Sequence, residues 1–316
     1  MSSKAGVIRI GLSGWTYPSW RGNFYPKGLK QNRELSYAAS HFPSLEINGT
    51  FYGLQKPRTF DRWASEVPEN FVFAVKGPRF ITHVKRLQDI EAPLANFFAS
   101  GVLRLGAKLG PILWQLPASF SLNIERMRAF LSLLPHDTEA AADMARKHDD
   151  HIASPDETRP AKQPIRHALE IRHNSFIDPA FIELLRERQV ALVCADTVEW
   201  PRLMDVTAGF VYCRLHGSRQ LYRSGYDDAE RRRWAQRIAA WSQGEPMNDG
   251  DFVSATRAAD RPRDVYLFFD NTDGLRAPDD ALAIMRELGA EWHPIETAPM
   301  LWGREPPWTQ LSSGES

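Results

Sequence analysis

Charged and amide side chains recur near the ends of short, β-rich segments along this 316-residue chain, each a candidate for chemistry. LEIN places Glu46 and Asn48 two apart, FAVK ends at Lys76, and ILWQ ends at Gln115. LEIRH carries Glu170, Arg172 and His173; CAD ends at Asp196; YCRLH carries Arg214 and His216; FFDN ends at Asp270 and Asn271. Strand side chains alternate faces, so residues two apart share a side. The apolar partners Leu45, Ile47, Leu169, Ile171, Val211, Cys213 and Leu215 suit a helix-covered face. Glu46, Asn48, Glu170, Arg172, Tyr212, Arg214 and His216 then point the other way. On strand six, Leu192, Cys194 and Asp196 share one side. Charges are rarely buried without partners, so a ring of them from many strands reads as a functional pocket; a charge-compensated core is the competing reading.

Two carboxylates on separate strands, Glu46 and Glu170, could exchange protons with a substrate between them. Lys76, Arg172, Arg214 and His216 would hold an anionic group and stabilise developing negative charge. Asn48, Gln115, His173, Asp196 and Asn271 complete the expected binding set, with Trp15 as a stacking surface. The turn Gly217-Ser218-Arg219 offers backbone N–H groups to a phosphate. A divalent metal on Glu170, Asp196, His216 and Asp270 is the less favoured alternative, because Arg172 and Arg214 sit close enough to oppose it. No cofactor is required by any motif: GxGxxG, Walker and GxSxG elements are absent.

The elements that must position these residues alternate. Strand-like segments span Val7–Trp15, Ser44–Tyr52, Asn70–Pro78, Lys108–Pro117, Arg166–Ser175, Val190–Thr197, Gly209–Gly217 and Asp264–Asp273. Helical spacing and caps appear over Pro57–Glu66, Asn123–Leu134, Asp178–Arg188, Asp227–Gly244 and Pro278–Gly289. Eight alternating units predict an α/β fold, a single (β/α)8 TIM barrel over residues 1–316 with its core at about 7–290. Val198–Ala208 is too short for a full crossover helix. Residues 135–165 read as a charged insert between strands 4 and 5, a short helix plus a mobile loop. Residues 291–316, with Trp292, Trp302 and Trp308 among prolines, read as a C-terminal strap.

Composition narrows the classes. Lys plus Arg and Asp plus Glu are 39 each, so no global field favours nucleic acid or an anionic membrane. Two cysteines, Cys194 and Cys213, make no disulfide scaffold, and no signal or membrane-length apolar segment appears. A cytoplasmic location is expected. His148-Asp149-Asp150-His151 falls in the insert and reads as a solvated loop, as Arg231-Arg232-Arg233 reads as a solvated helix face.

Taken together, GLSGWTYPSWRGNFYP, LEINGTFYGL, FAVKGPRFITH, LGPILWQLP, LEIRHNSF, CADT, VYCRLHG and FFDNTDG resemble the domain of unknown function 72 family, the YecE-like TIM barrels, in order from about Ile8 to Leu288. The resemblance implies a barrel related in shape to the xylose isomerase and endonuclease IV type, and implies no particular reaction. One departure stands out: the family's FNND-like stretch is here Asp270-Asn271-Thr272-Asp273. The expected function is acid–base chemistry on a small polar or anionic, sugar- or phosphate-containing substrate. A non-catalytic binding protein is one alternative. A metal-dependent isomerase or nucleic-acid-processing enzyme is another; the neutral net charge argues against nucleic acid as partner.

Overall fold

The computed structural model describes residues 5–273 and 275–295. Eight strands pair in parallel, each with its sequence neighbours, and the last closes on the first. They are β1 (Ile8–Ser13), β2 (Ser44–Ile47), β3 (Val72–Lys76), β4 (Leu109–Gln115), β5 (His167–Glu170), β6 (Ala191–Asp196), β7 (Phe210–Leu215) and β8 (Asp264–Phe269). This is the expected TIM barrel. No helix among the described residues is long and apolar enough to cross a membrane.

The helices are α1 (Glu34–His41), α2 (Gly49–Tyr52), α3 (Pro57–Ser65), α4 (Glu91–Ala99), α5 (Ile124–Leu133), α6 (Thr138–Ala145), α7 (Pro179–Glu187), α8 (Asp228–Gln243) and α9 (Arg276–Glu287). Those with caps were legible. Asn123 and Asp178 accept backbone N–H groups at the starts of α5 and α7. Asp227 and Glu230 form a reciprocal capping box on α8, which stops at Gly244 with φ 76°. Residues Gly49–Tyr52, expected to continue β2, instead turn into α2, so the strand ends at Ile47. Helix α4 escaped the periodicity because Leu94 through Ala99 are all buried: α6 of the insert packs over its outer side. The insert is pinned at its base by Asp137 bridging Pro164, and farther along by Asp156, which takes Arg104 at 2.8 Å.

No helix joins β6 to β7. Leu203 to Thr207 run back along the outer face instead, with Thr207 Oγ1 tied to Leu192 N and Val190 O. The connection between α8 and β8 then doubles back over them. Asp205 accepts Val253 N and Ser254 N at 2.8 and 3.0 Å, and Met204 N reaches Asp251 O at 2.8 Å.

Inside the barrel, Phe210, Tyr212, Tyr266 and Phe268 from β7 and β8 pack with Ala74 of β3, Ala168 of β5 and Ala191 and Ala195 of β6, whose small side chains leave room for them. Outside, Leu12, Leu45, Ile47, Leu169, Leu192, Cys194, Cys213 and Leu215 meet the helices. Cys194 and Cys213 are register partners on this outer face and buried. At the far end from the candidate site, Trp292 donates to Ala39 O and Ile295 pairs with Asn70. The remainder of the expected strap, with Trp302 and Trp308, lies outside the described residues.

Candidate functional site

Alternation along β7 turns Tyr212 and Arg214 inward, and Arg214 ends at the centre of the mouth, fully buried. Its guanidinium gathers groups from four other strand ends. Nε and Nη2 donate to Glu46 at 3.1 and 2.9 Å, Nη1 to Glu170 at 2.7 Å, and Nη2 to Ser13 Oγ at 2.8 Å. Asp270 Oδ2 lies 3.1 Å from Nη2. Glu46 also accepts from Ser13 Oγ and from Tyr212 OH. A planar, permanently charged fork can serve several carboxylates in this way where a point charge cannot.

A second tier lies around this core. Arg172 holds the other oxygen of Glu170 at 2.7 Å through Nε and 2.6 Å through Nη2, and its guanidinium stacks 4.2 Å from the Trp200 ring. Trp200 and Tyr222 both meet the His216 ring edge-on. His216 is fully buried, with Nδ1 3.0 Å from Asp270 and Nε2 3.9 Å from Glu170. Nε2 has no hydrogen-bond partner among the described residues. Lys76 is 8% exposed and makes no hydrogen bond or ion pair among the described residues; its Nζ sits 4.2 Å above the Phe51 ring. Gln115, in register beside Glu170, is also buried with no side-chain hydrogen bond among the described residues.

Burial disfavours charge, while neighbours of opposite sign restore it. Burial alone would raise the Glu170 carboxyl, but Arg172, Arg214, His216 and Lys76 outweigh it and hold it well below the usual range. Asp270 is likewise held low, chiefly by Arg214 against its own burial. Lys76 goes the other way. Burial, helped by the Arg214 charge, pulls it down to about 8, although Asp270, Glu46 and Glu170 oppose the shift. At the rim, His83 is lowered to about 4 by burial and then by Arg79, Arg172, Lys76 and Arg86. Four cations acting on one imidazole make the rim a place where negative charge is favoured.

Of the residues expected from sequence, Glu46, Lys76, Gln115, Glu170, Arg172, Arg214 and His216 come together here, and Asn48 joins by donating to Ser13 Oγ at 3.0 Å. Others do not. Asp196 follows Leu192 and Cys194 to the helix side, where it takes Trp234 Nε1 at 3.1 Å and Arg202 at 3.2 Å. Asn271, one residue past inward-facing Asp270, turns outward and donates to Asp280 and Ser224 O. Trp15, half-buried, packs at right angles to Trp63 of α3 and leans on Phe73. His173 caps the short helical turn Asn174–Phe176. The N–H of Gly217 is taken by Tyr226 OH and that of Arg219 by Ser224 Oγ, so among the described residues that turn keeps only the Ser218 N–H as a donor for a phosphate.

The alternative metal set does not fit either. Arg214 occupies the space between Glu170 and Asp270, Asp196 faces away, and among the described residues no three His, Cys, Asp or Glu side chains form a metal-holding group. His148 to His151 belong to the insert's own packing: Asp149 accepts from Asn96 and from His151.

Sequence reasoning missed Ser13, Trp200 and Tyr222 as parts of the site. Ser13 sits at a strand end between Leu12 and a glycine, with no charge to mark it. Trp200 lies in the segment noted as too short for a helix. A segment leaving the C-terminal end of a barrel strand begins at the mouth whatever its length, and that was the available signal. Tyr222 has φ 63° in the connection after β7, a conformation that alternation cannot foresee.

A family model described as "Protein of unknown function DUF72" matches residues 9–305. Among curated proteins, the UPF0759 protein YunF of Bacillus subtilis is 23% identical over 301 residues, covering 90% of this chain and 96% of the relative. The UPF0759 protein YecE of Escherichia coli is 26% identical over 246 residues, covering 75% and 83%. A crystal structure of a DUF72 family protein from Thermotoga maritima superposes with a TM-score of 0.66 at 22% identity, over 90% of this chain and 99% of that one. One from Enterococcus faecalis gives 0.65 at 20% identity, over 93% and 100%. At these identities the solved structures bear on the fold.

Proposed function

This chain belongs to the DUF72 family, and from that premise we propose that its barrel mouth is the active site of an enzyme acting on a small polar substrate that carries an anionic group. The observation behind the reading is an imbalance of satisfaction. The carboxylates are held by Arg214 and Arg172, while His216 Nε2 and Trp200 Nε1 are buried without a hydrogen-bond partner, and the Lys76 and Gln115 side chains, whose polar atoms keep contact with solvent at the mouth, have no protein partner among the described residues. Buried polar groups left unpaired cost roughly 1–3 kcal/mol each, and such a cost at a barrel's C-terminal face is met by a ligand. Arg172 and the rim cations Arg79 and Arg86 favour the anionic end.

The roles divide by partners and, for Glu170 and Lys76, by pKa. Glu46, met by three donor groups, anchors Arg214 and carries no proton to substrate. Glu170, held ionised by Arg172 and Arg214, serves as a fixed negative charge. Lys76, titrating near 8, is the group suited to moving a proton at neutral pH.

The test is thermal stability at constant ionic strength with inorganic phosphate, sugar phosphates, small carboxylates and uncharged sugars, on the wild type and on Arg172→Ala. A ligand at about a hundred times its Kd adds roughly 2.7 kcal/mol. Stabilisation by anionic compounds, reduced in Arg172→Ala, is expected, and stabilising compounds go forward to turnover assays. Equal response to charged and uncharged compounds, or none to any, would overturn the reading.

A further inference from the structure

Lys76 differs from every other buried basic residue among those described. Lys108 donates to Ala64 O and Val67 O, Arg237 is paired with Asp249, Arg263 reaches Arg261 O and Ala259 O, and Arg214 holds its carboxylates. Each is a cation whose charge is used by the fold. The Lys76 Nζ has an aromatic ring on one side and no acceptor. An ammonium largely desolvated at the mouth, with solvent access but no protein acceptor, serves no structural pairing, and desolvation with a second cation nearby is the standard physical route to a nucleophilic amine. Here the second cation is Arg214.

We infer that Lys76 forms an imine with the substrate, which makes the substrate class a small aldehyde or ketone bearing a phosphate or carboxylate. The inference rests on the anion-favouring mouth argued above and adds the reacting group. The neutral amine adds to the carbonyl carbon, a C–N bond forms, and the carbonyl oxygen takes a proton to become a hydroxyl. That hydroxyl leaves as water while the nitrogen gives up its proton, so amine and carbonyl yield imine and water with no oxidant or reductant. The relay of protons between nitrogen and oxygen needs a group that can both give and accept. His216 has Nδ1 paired with Asp270 at 3.0 Å and Nε2 without a hydrogen bond, 3.9 Å from Glu170; both carboxylates act on Lys76. Gln115, in register beside Glu170 and without a protein hydrogen bond among the described residues, is the amide that would hold the carbonyl oxygen or a neighbouring hydroxyl.

The experiment is reductive trapping on the full chain at pH 8. The protein is incubated with glyceraldehyde 3-phosphate, dihydroxyacetone phosphate or pyruvate and sodium cyanoborohydride, which reduces imines and spares carbonyls, and adducts are mapped by peptide mass spectrometry. With a pKa of about 8 against about 10.4 for an exposed lysine, Lys76 carries roughly a hundredfold more free amine. Allowing for the lower nucleophilicity of a weaker base, it should label at least about tenfold faster than any other lysine. Lys76→Arg should lose that adduct and keep the slow background on the rest. Labelling of Lys76 no faster than surface lysines with all three probes overturns the inference. Stabilisation by inorganic phosphate, measured on the same preparation, separates the two proposals: phosphate binding without trapping leaves the anionic pocket standing and removes the imine, while absence of both removes both.

Discussion

Replacing Arg214 by Met isolates the energetics of the mouth. The side chain is about as long and apolar, so the packing loss is small; the loss is electrostatic. Two hydrogen bonds to Glu46, one to Glu170, one to Ser13 and the 3.1 Å pairing with Asp270 disappear together. Removing one partner of a buried ion pair costs about 3–5 kcal/mol because a charge is left unpaired. Three carboxylates share this one, so a loss of about 5 kcal/mol is expected, a large part of the roughly 5–15 kcal/mol by which such domains are stable. Arg214→Lys keeps the charge and loses the fork, and should fall between.

The pH dependence carries the sign. In the wild type Glu170 and Asp270 are held below their unfolded values of about 4. Their stabilising contribution is therefore full above that pH and fades as pH falls through the lower folded values. In Arg214→Met the carboxylates lose their cation, and burial and mutual repulsion raise them, so acidification neutralises them and relieves the variant. The gap between the two proteins should narrow steadily from pH 7 towards pH 4. Urea unfolding followed by circular dichroism at pH 7 and pH 5 reads it. A loss under about 1 kcal/mol at pH 7, or a gap that stays constant between the two pH values, would refute the view of Arg214 as the shared counter-ion.

Three further outcomes are expected. Lys76→Met should raise stability at pH 7 by up to about 3 kcal/mol, because a lysine held near 8 is penalised when charged. The gain should disappear as pH rises from about 8 to beyond about 10, where the unfolded chain also loses the proton; an unfolding series across that range checks it. Asp205→Ala removes the acceptor of two backbone N–H groups, Val253 and Ser254, and should cost about 2–3 kcal/mol by urea unfolding and open residues 245–262 to limited proteolysis. Cys194 and Cys213 should react with a thiol-specific disulfide reagent no faster than the chain unfolds, since both are buried and burial raises the Cys213 thiol well above its ordinary value. Rapid labelling of the native protein would show that face to be open.

Much of the barrel was written in the sequence because strands end where the polar residues begin. All eight strands fall inside the segments expected. Alternation also placed Glu46, Glu170, Arg172, Arg214 and His216 on the inner side correctly, since each directly follows an apolar residue that has to meet helices. It could not tell inward from outward once a strand ends. Asn271 lies past the last paired residue, where one step turned it to the helix side, whereas Asp196 kept the side it shares with Leu192 and Cys194, so the alternation already pointed it away from the mouth. Nor could spacing reveal which charges are spoken for. Lys76 and Arg214 look alike in a list of basic residues; the difference is four hydrogen bonds against none, and it comes from strands far apart in sequence. The packing of Trp15 was hidden for a related reason, because its partners Trp63 and Phe73 belong to a later helix and strand.

The bare stretch between β6 and β7 also bears on how the chain assembles. Each barrel strand is ordinarily roofed by the helix that follows it, so a growing chain can bury apolar surface unit by unit. Here the outer side of β6 is roofed in part by residues 251–254, which come after α8, some fifty positions later. Leu192 and Met204 therefore stay without their full cover until nearly all of the barrel exists. The sixth unit ripens only with the eighth, so the C-terminal quarter is a foldon on which its predecessor depends. A chain cut after Gly244 should hold an unfinished, sticky flank in place of a self-sufficient six- or seven-stranded intermediate. That dependence ties late synthesis to closure of the ring, and it makes this segment a poor place to split or permute the protein.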